Sequence, residues 1–251
     1  MQKGENKKMK KIIAIVILVA TLCCALVGCS KVDPNLKSEG VMTYAEYNAA
    51  ALKSTVTIEG FIQAKQAYAE AYKNTCLYLQ DGEGAYFVYR IGCTQEQYDT
   101  FKVGSKIKIV GTKDAWGGEV EIVDITAFEI VGTDTWIAKA TDVTSIIHDN
   151  AELKKHENKF AVVKDMTVVS VVFQNDVAGD NNDIYLTLSK KDADGVDKTY
   201  EFCVEEALVD FQTAEYKAVS ELKAGDVVDV EGFLYWYEDA INTHVTKVTV
   251  K

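Results

Sequence analysis

The chain has 251 residues, 48% of them hydrophobic, with 38 acidic against 27 basic side chains and a formal net charge of −11. That is long enough to bury a core without disulfide staples. The acidic balance disfavours a partner that presents a phosphate backbone or an anionic lipid surface.

Residues 1–11, MQKGENKKMKK, carry five lysines and one glutamate, and an apolar run follows from Ile12 to Gly28. A basic region, an apolar region and a small residue before a cleavage point mark an export signal. The run ends in Leu26-Val-Gly-Cys29, which resembles the lipobox of bacterial lipoproteins. The resemblance implies that residues 1–28 are a signal peptide, that Cys29 receives diacylglycerol, and that the chain is cut just before it. Gly28 suits a peptidase needing a small side chain there, whereas Cys23 and Cys24 follow a leucine and a cysteine. A single membrane-spanning helix is the alternative, at the short end of the roughly 17–25 residues a span needs. Met1 and Met9 both remain possible starts. Loss of residues 1–28 takes the charge from −11 to −15. The expected location is the outer face of the cell membrane, lipid-anchored.

Residues 29–40 read as a polar tether holding the only proline. Thr43-Tyr-Ala-Glu46 reads as a capping box opening a short helix to about Leu52. Strands then dominate. Lys102-Val-Gly104-Ser-Lys-Ile-Lys-Ile-Val-Gly111 matches Lys223-Ala-Gly225-Asp-Val-Val-Asp-Val-Glu-Gly232 in the spacing of its Lys and both Gly. Before each lies a pair of strands joined by a turn, then a short helix. CLYLQ and AYFVYR pair through Asp81–Gly84, and IYLTLS and TYEFCVE pair around Asp194-Gly195. Thr94 with Gln97 caps one helix as a capping box and Thr213 caps the other. A long strand opens each copy and another closes it. Each copy therefore reads β-β-β-α-β-β, the order of the five-stranded OB-fold. The expected fold is mostly β: two tandem OB-fold-like barrels over 41–137 and 159–251. Residues 138–158 link them, with helical pieces at Asp142–His148 and Ala151–Glu157.

The segments TYAEYNAAAL, VTIEGFIQAKQ, YLQDGEGAYFVY, VEIVD, TDVTSII and VEGFLYWY resemble tandem OB-fold lipoproteins of Gram-positive bacteria, a largely uncharacterised group. This resemblance spans almost the whole chain and implies a fold rather than an activity. Ile107–Gly118 alone is similar to OB modules attached to secreted nucleases, with Trp116 and Gly118 at the aromatic and glycine positions. The second copy keeps the aromatic as Tyr237 but has Asp239 where the glycine falls.

Catalytic patterns are scarce. The three histidines form no HxH or HExxH spacing, there is no CxxC, and no GxSxG elbow occurs. No enzyme activity, cofactor or metal is expected. Asn175–Asp183 and Lys191–Asp197 are acidic, but the DxDGxD in the second lacks a distant Glu, and Asp and Gly are ordinary turn residues. Past the signal, Cys76, Cys93 and Cys203 remain, an odd number. The hairpin register sets Cys76 opposite Tyr89 rather than Cys93, so buried thiols are expected over a bridge.

The aromatics carry the remaining signal. Alternation points Leu77 and Leu79 inward, and Tyr78, Phe87 and Tyr89 outward on the strand 2–3 face where OB-folds bind ligands. Trp116, in the strand 4–5 turn, reaches the same side. These four residues are the expected stacking face, for a glycan or a partner protein more than a nucleic acid, because few cations are near. Cover by a helix or by the other barrel is the competing reading. In Gly232-Phe-Leu-Tyr-Trp-Tyr237, Phe233 and Tyr235 point outward on strand 4, where the first copy has Thr112 and Asp114. With Trp236 they are the expected domain interface. A nucleic-acid binder and a purely structural lipoprotein remain the rivals to non-catalytic ligand recognition.

Overall fold

The computed structural model describes residues 32–179 and 181–251. The predicted signal peptide and the lipidation site at Cys29 lie outside the described residues. Pro34–Lys251 forms one compact unit. No helix among the described residues is long and apolar enough to cross a membrane.

The chain is mostly β. After helix α1 (Tyr44–Ala49) come β1 (Thr55–Lys65), β2 (Asn74–Gln80), β3 (Ala85–Gly92), helix α2 (Gln95–Thr100), β4 (Ser105–Trp116) and β5 (Glu119–Thr135). These strands close into an OB-fold-like barrel in the order β1-β2-β3-β5-β4, with β4 returning to β1. The capping boxes form as the sequence predicts: Thr43 with Glu46, and Thr94 with Gln97. Helix α1 stops short of Leu52, and the Lys113 ammonium takes up the carbonyls of Tyr47, Asn48 and Ala50 at its end. The barrel interior is filled by Ile58, Leu77, Leu79, Tyr86, Val88, Ile107 and Ile109.

Residues 138–158 contain β6 (Thr141–Asp142), a 3-10 turn (Thr144–Ile146) and α3 (Asn150–Lys154), capped by Asp149. They are less helical than the sequence suggests, because Thr141 and Asp142 instead pair with the next strand. That strand is β7 (Phe160–Phe173). After it come β8 (Ile184–Lys191), β9 (Asp197–Val204), α4 (Ala214–Ser220) and β10 (Val227–Phe233). A two-residue hairpin arm, β11 (Trp236–Tyr237) and β12 (Ala240–Ile241), precedes β13 (His244–Val250). The second sheet runs β10-β13-β9-β8-β7-β6, and β10 also pairs with β7. Thr213 caps α4 through the amide of Tyr216.

The glycines of the sequence repeat have matching structural reasons. Gly104 and Gly225 turn with φ of 89° and 94°, the left-handed region that a Cβ disfavours. Gly111 and Gly232 sit where strands 4 and 5 of each copy slip register. A Cβ there would lie 2.9 Å from the carbonyl oxygen of Val123, or 2.3 Å from that of His244, too close for either backbone.

Residues 34–40 are not a loose tether. The Lys37 ammonium donates to Asp81 Oδ2 at 2.5 Å and to the Glu59 carbonyl at 2.6 Å, with the Asp81 side chain fully buried. The Ser38 amide donates to Glu59 Oε2 at 3.2 Å. This strap crosses the first barrel. Asp81 also accepts from the Tyr86 hydroxyl and from the amides of Glu83 and Gly84, so one carboxylate holds the β2–β3 turn, a core tyrosine and the strap.

Candidate ligand-binding site

The hairpin register agrees with the sequence reading: Tyr78 opposes Phe87. Cys76 sits at an irregularity beside Tyr89 and Arg90, where Arg90 adopts φ 52° and its amide donates to Cys76 Sγ. The parity of the aromatics is as expected, but the stacking face is not open. Tyr78 is 1% exposed and Phe87 3%. The Tyr78 ring stacks on Phe233 at 4.4 Å, and Phe87 meets Tyr235 edge-on at 5.5 Å. Both faces of β2 and β3 are therefore covered. The unbroken apolar runs CLYL and AYFV carried that signal, since a strand buried on both sides loses its alternation.

Polar groups complete this seam. The Tyr78 hydroxyl lies 2.7 Å from His244 Nδ1 and donates to Glu205 Oε2 at 3.1 Å. Gln66 Nε2 donates to the same carboxylate at 2.7 Å, and the His244 ring stacks on Tyr235 at 4.0 Å. Nearby, Phe160 N–H donates to Gln80 Oε1 at 2.9 Å. Trp236 belongs to the interior of the second sheet, but its backbone N–H donates to Glu119 Oε2 of β5 at 3.0 Å. Its indole Nε1 donates to Asn150 Oδ1 at 3.0 Å. The three residues expected at a domain interface thus divide: Phe233 and Tyr235 lie in the aromatic seam, while the Trp236 ring lies in the second core.

Burial sets the charge states here. It pushes Glu119 well above the usual carboxylate range, and the neighbouring Glu157 pushes the same way. Burial, then Asp114, raises Glu121 from 4.5 to about 7. A carboxyl raised in the folded state contributes most below its unfolded pKa, and that contribution fades as pH rises through its folded value. Burial lowers His244, with Glu205 opposing, so His244 acts the other way, losing stability as pH falls below its ordinary range. The Glu121→Gln variant isolates the first effect. Its melting temperature minus that of the wild type is expected to rise as pH increases from about 4.5 to about 7. A flat difference across that window would contradict it. Among the described residues, the thiols of Cys76, Cys93 and Cys203 are free and buried, and burial pushes Cys76 up to about 12 and Cys203 up as well, which removes the nucleophilic form of these two at neutral pH.

An open site lies on the second sheet. A cleft of about 520 Å³ is bounded by β9, the β11–β12 arm and residues 147–153, with His148, Tyr200, Glu201, Tyr237, Asp239 and Asn242 among its walls. His148 bridges two groups: Nε2 lies 3.0 Å from the Lys191 carbonyl and Nδ1 lies 2.6 Å from the Tyr200 hydroxyl. Glu238 and Asp239 turn the arm with φ of 52° and 62°, two successive non-glycine residues in the left-handed region. Trp116 flanks the cleft. Its ring lies 5.5 Å from that of Tyr237, and Asp239 N–H donates to the Gly117 carbonyl at 3.1 Å. Trp116 and Tyr237 are 58% and 44% exposed. Among the described residues, no lysine or arginine lines the cleft. Of the four residues expected to stack a ligand, Tyr78 and Phe87 are sealed in the seam and Tyr89 is half-buried with the Arg90 guanidinium 4.7 Å over its ring. Trp116 alone stands open, at the edge of this cleft.

No family model and no curated protein matches the chain. Among solved structures, it is similar to an asparaginyl-tRNA synthetase of Entamoeba histolytica in complex with asparaginyl-adenylate. Identity is 16% over 43% of this chain and 29% of that one, with a TM-score of 0.30. It is also similar to the p204 HINb domain, at 12% identity over 79% of this chain and 96% of that one, TM-score 0.33. The tetrameric p202 HIN2 gives 11% identity over 80% and 96%, TM-score 0.31. The chain spans under a third of the synthetase. Likenesses at this level assign no activity to the chain.

His148, Tyr200 and Asn242 escape a sequence reading because they come from three distant segments with no shared spacing. The acidic stretch Lys191–Asp197 shows turn chemistry: Asp192 Oδ1 accepts from the amides of Asp194 and Val196. Among the described residues, no group of three or more His, Cys, Asp or Glu is placed to hold a metal ion.

Proposed function

We propose that this chain is an exported, lipid-anchored, non-catalytic binding protein made of two OB-fold-like barrels, and that its second barrel holds a glycan. The LVGC box at Cys29 supports the anchor. The tandem reading rests on the repeat and on the second sheet's pairings, which run β7-β8-β9-β13-β10 and return to β7. This order repeats that of the first barrel, strand for strand.

The observation that carries the ligand assignment is the lining of the cleft. It lies against strand 3 and the strand 4–5 loop of its barrel, a usual OB-fold ligand position. Tyr200 and Tyr237 offer apolar ring surface, and Asn150, Asn242 and Thr199 offer uncharged hydrogen-bonding groups. Glu201, Glu238 and Asp239 accept from hydroxyls and repel phosphate. The first barrel's equivalent face is occupied by Phe233 and Tyr235, so recognition falls to the second. A glycan array probed with the full chain is expected to return binders. Tyr237→Ala should weaken them about 10-fold, or ~1.4 kcal/mol, while Tyr89→Ala leaves them unchanged. Binding untouched by both Tyr237→Ala and Tyr200→Ala would reject the site. Tight binding of single-stranded DNA at about 50 mM salt would favour the nucleic-acid reading instead.

A further inference from the structure

A second cavity, of about 490 Å³, opens on the seam itself. Gln63 and Ala64 at the end of β1, with Ile137, form its wall on the first barrel. Phe160 of β7, Phe233 of β10 and Leu208 form the opposite wall. The Phe160 and Phe233 rings lie 5.4 Å apart, and Phe233 continues directly into the stack on Tyr78. Gln63 is a fixed part of the wall: its amide donates to the Phe61 carbonyl at 3.0 Å and accepts from Ala138 N–H at 2.8 Å.

This cavity differs from the cleft in chemistry. Its walls are mainly apolar, and among the described residues Asp210 and Glu215 are the charged groups on them, with no lysine or arginine. Neither carboxylate has an ion-pair partner among the described residues. Asp210 Oδ1 accepts one amide, that of Gln212 at 2.7 Å, which leaves acceptor capacity on the group. A volume within roughly 300–1,000 Å³, an apolar lining and a few fixed polar groups are the usual marks of a small-molecule site. Asp210 and Glu215 are exposed residues beside the apolar walls, and on a chain of formal charge −11 two carboxylates without counter-ions there favour a positive headgroup over an anion.

We propose that this seam cavity is a second ligand site, taking a small molecule with an apolar or aromatic body and a cationic nitrogen. The body packs against Phe160, Phe233 and Leu208, and the nitrogen faces Asp210 and Glu215. Such a ligand touches both walls of the seam, so its binding tightens the contact between the two barrels and raises the melting temperature.

The test uses two fluorescent probes on the full chain: the cationic aromatic berberine and the anionic 1-anilinonaphthalene-8-sulfonate. Berberine is expected to bind saturably and to raise the melting temperature. The anionic probe is expected to bind at least 10-fold more weakly. Joint substitution Asp210→Asn and Glu215→Gln should weaken berberine about 10-fold. Ile137→Lys, which puts a like charge on the wall from a position 63% exposed, should do the same without disturbing the fold. Tyr237→Ala, in the separate cleft, should leave berberine binding unchanged. Berberine binding that survives both the Asp210/Glu215 pair and Ile137→Lys overturns the site, as does its failure to saturate. Equal affinity for the anionic probe overturns the ligand class. A berberine signal lost in Tyr237→Ala places the probe in the cleft and overturns the assignment too.

Discussion

Tyr78→Ala is expected to destabilise the chain by about 3–5 kcal/mol, the loss typical of a large aromatic removed from a packed interior. Tyr78 is 1% exposed, and its ring stacks on Phe233 at 4.4 Å. Its hydroxyl also hydrogen-bonds to His244 Nδ1 and Glu205, so truncation takes a partner from the buried His244 ring as well as opening a void, while Glu205 keeps its bond from Gln66. Tyr78→Phe keeps the stack and gives up the hydroxyl, so its cost should be smaller, about 1–3 kcal/mol. Trp116→Ala removes a larger ring from a position 58% exposed and should change stability by no more than about 0.5 kcal/mol. Urea unfolding of the three variants gives the ranking. Equal costs for Tyr78→Ala and Trp116→Ala would mean that the aromatic seam does not hold.

The second large effect is at Asp81. Asp81→Ala leaves the Lys37 ammonium, whose side chain is 9% exposed, without its counter-ion. Removing one partner of a buried ion pair typically costs about 3–5 kcal/mol, because the other charge stays desolvated. The same substitution strands the Tyr86 hydroxyl and the amides of Glu83 and Gly84. In a chain this size the loss should lower the melting temperature by about 6–20 °C, at about 2–4 °C per kcal/mol. Limited proteolysis supplies an independent readout: without Asp81 the strap over 34–40 should be cut much faster than in the wild type. A variant that melts with the wild type and resists cleavage equally would show that the strap is held elsewhere.

The parts of this fold that were legible in the sequence are those set by local chemistry. Thr43 and Glu46 announce a helix start because both hydrogen bonds form within four residues. Gly104 and Gly225 recur because the same left-handed turn recurs. The Tyr78–Phe87 pairing follows from the Asp81–Gly84 turn, which fixes the register. What lies opposite a face is not local. The outward parity of Tyr78 and Phe87 can be read from alternation, but the partner that seals them, Phe233 with Tyr235, is about 150 residues away, and only the matching excess of outward aromatics on strand 4 hints at it. The strap is hidden for the same reason. Lys37 reads as one lysine in a polar stretch, and its two acceptors are 22 and 44 residues downstream. The cleft draws on three segments whose side chains meet only after the second sheet forms.

The central claim is that Phe233 and Tyr235, from the second sheet's side, cover the aromatic face of the first barrel. Hydroxyl-radical footprinting of the full chain read by mass spectrometry tests it most directly, because modification follows side-chain exposure. Trp116 at 58% and Tyr72 at 76% exposure should label strongly, and Tyr78 and Phe87 should stay near background. Labelling of Tyr78 and Phe87 at the rate of Tyr72 would contradict the covered face.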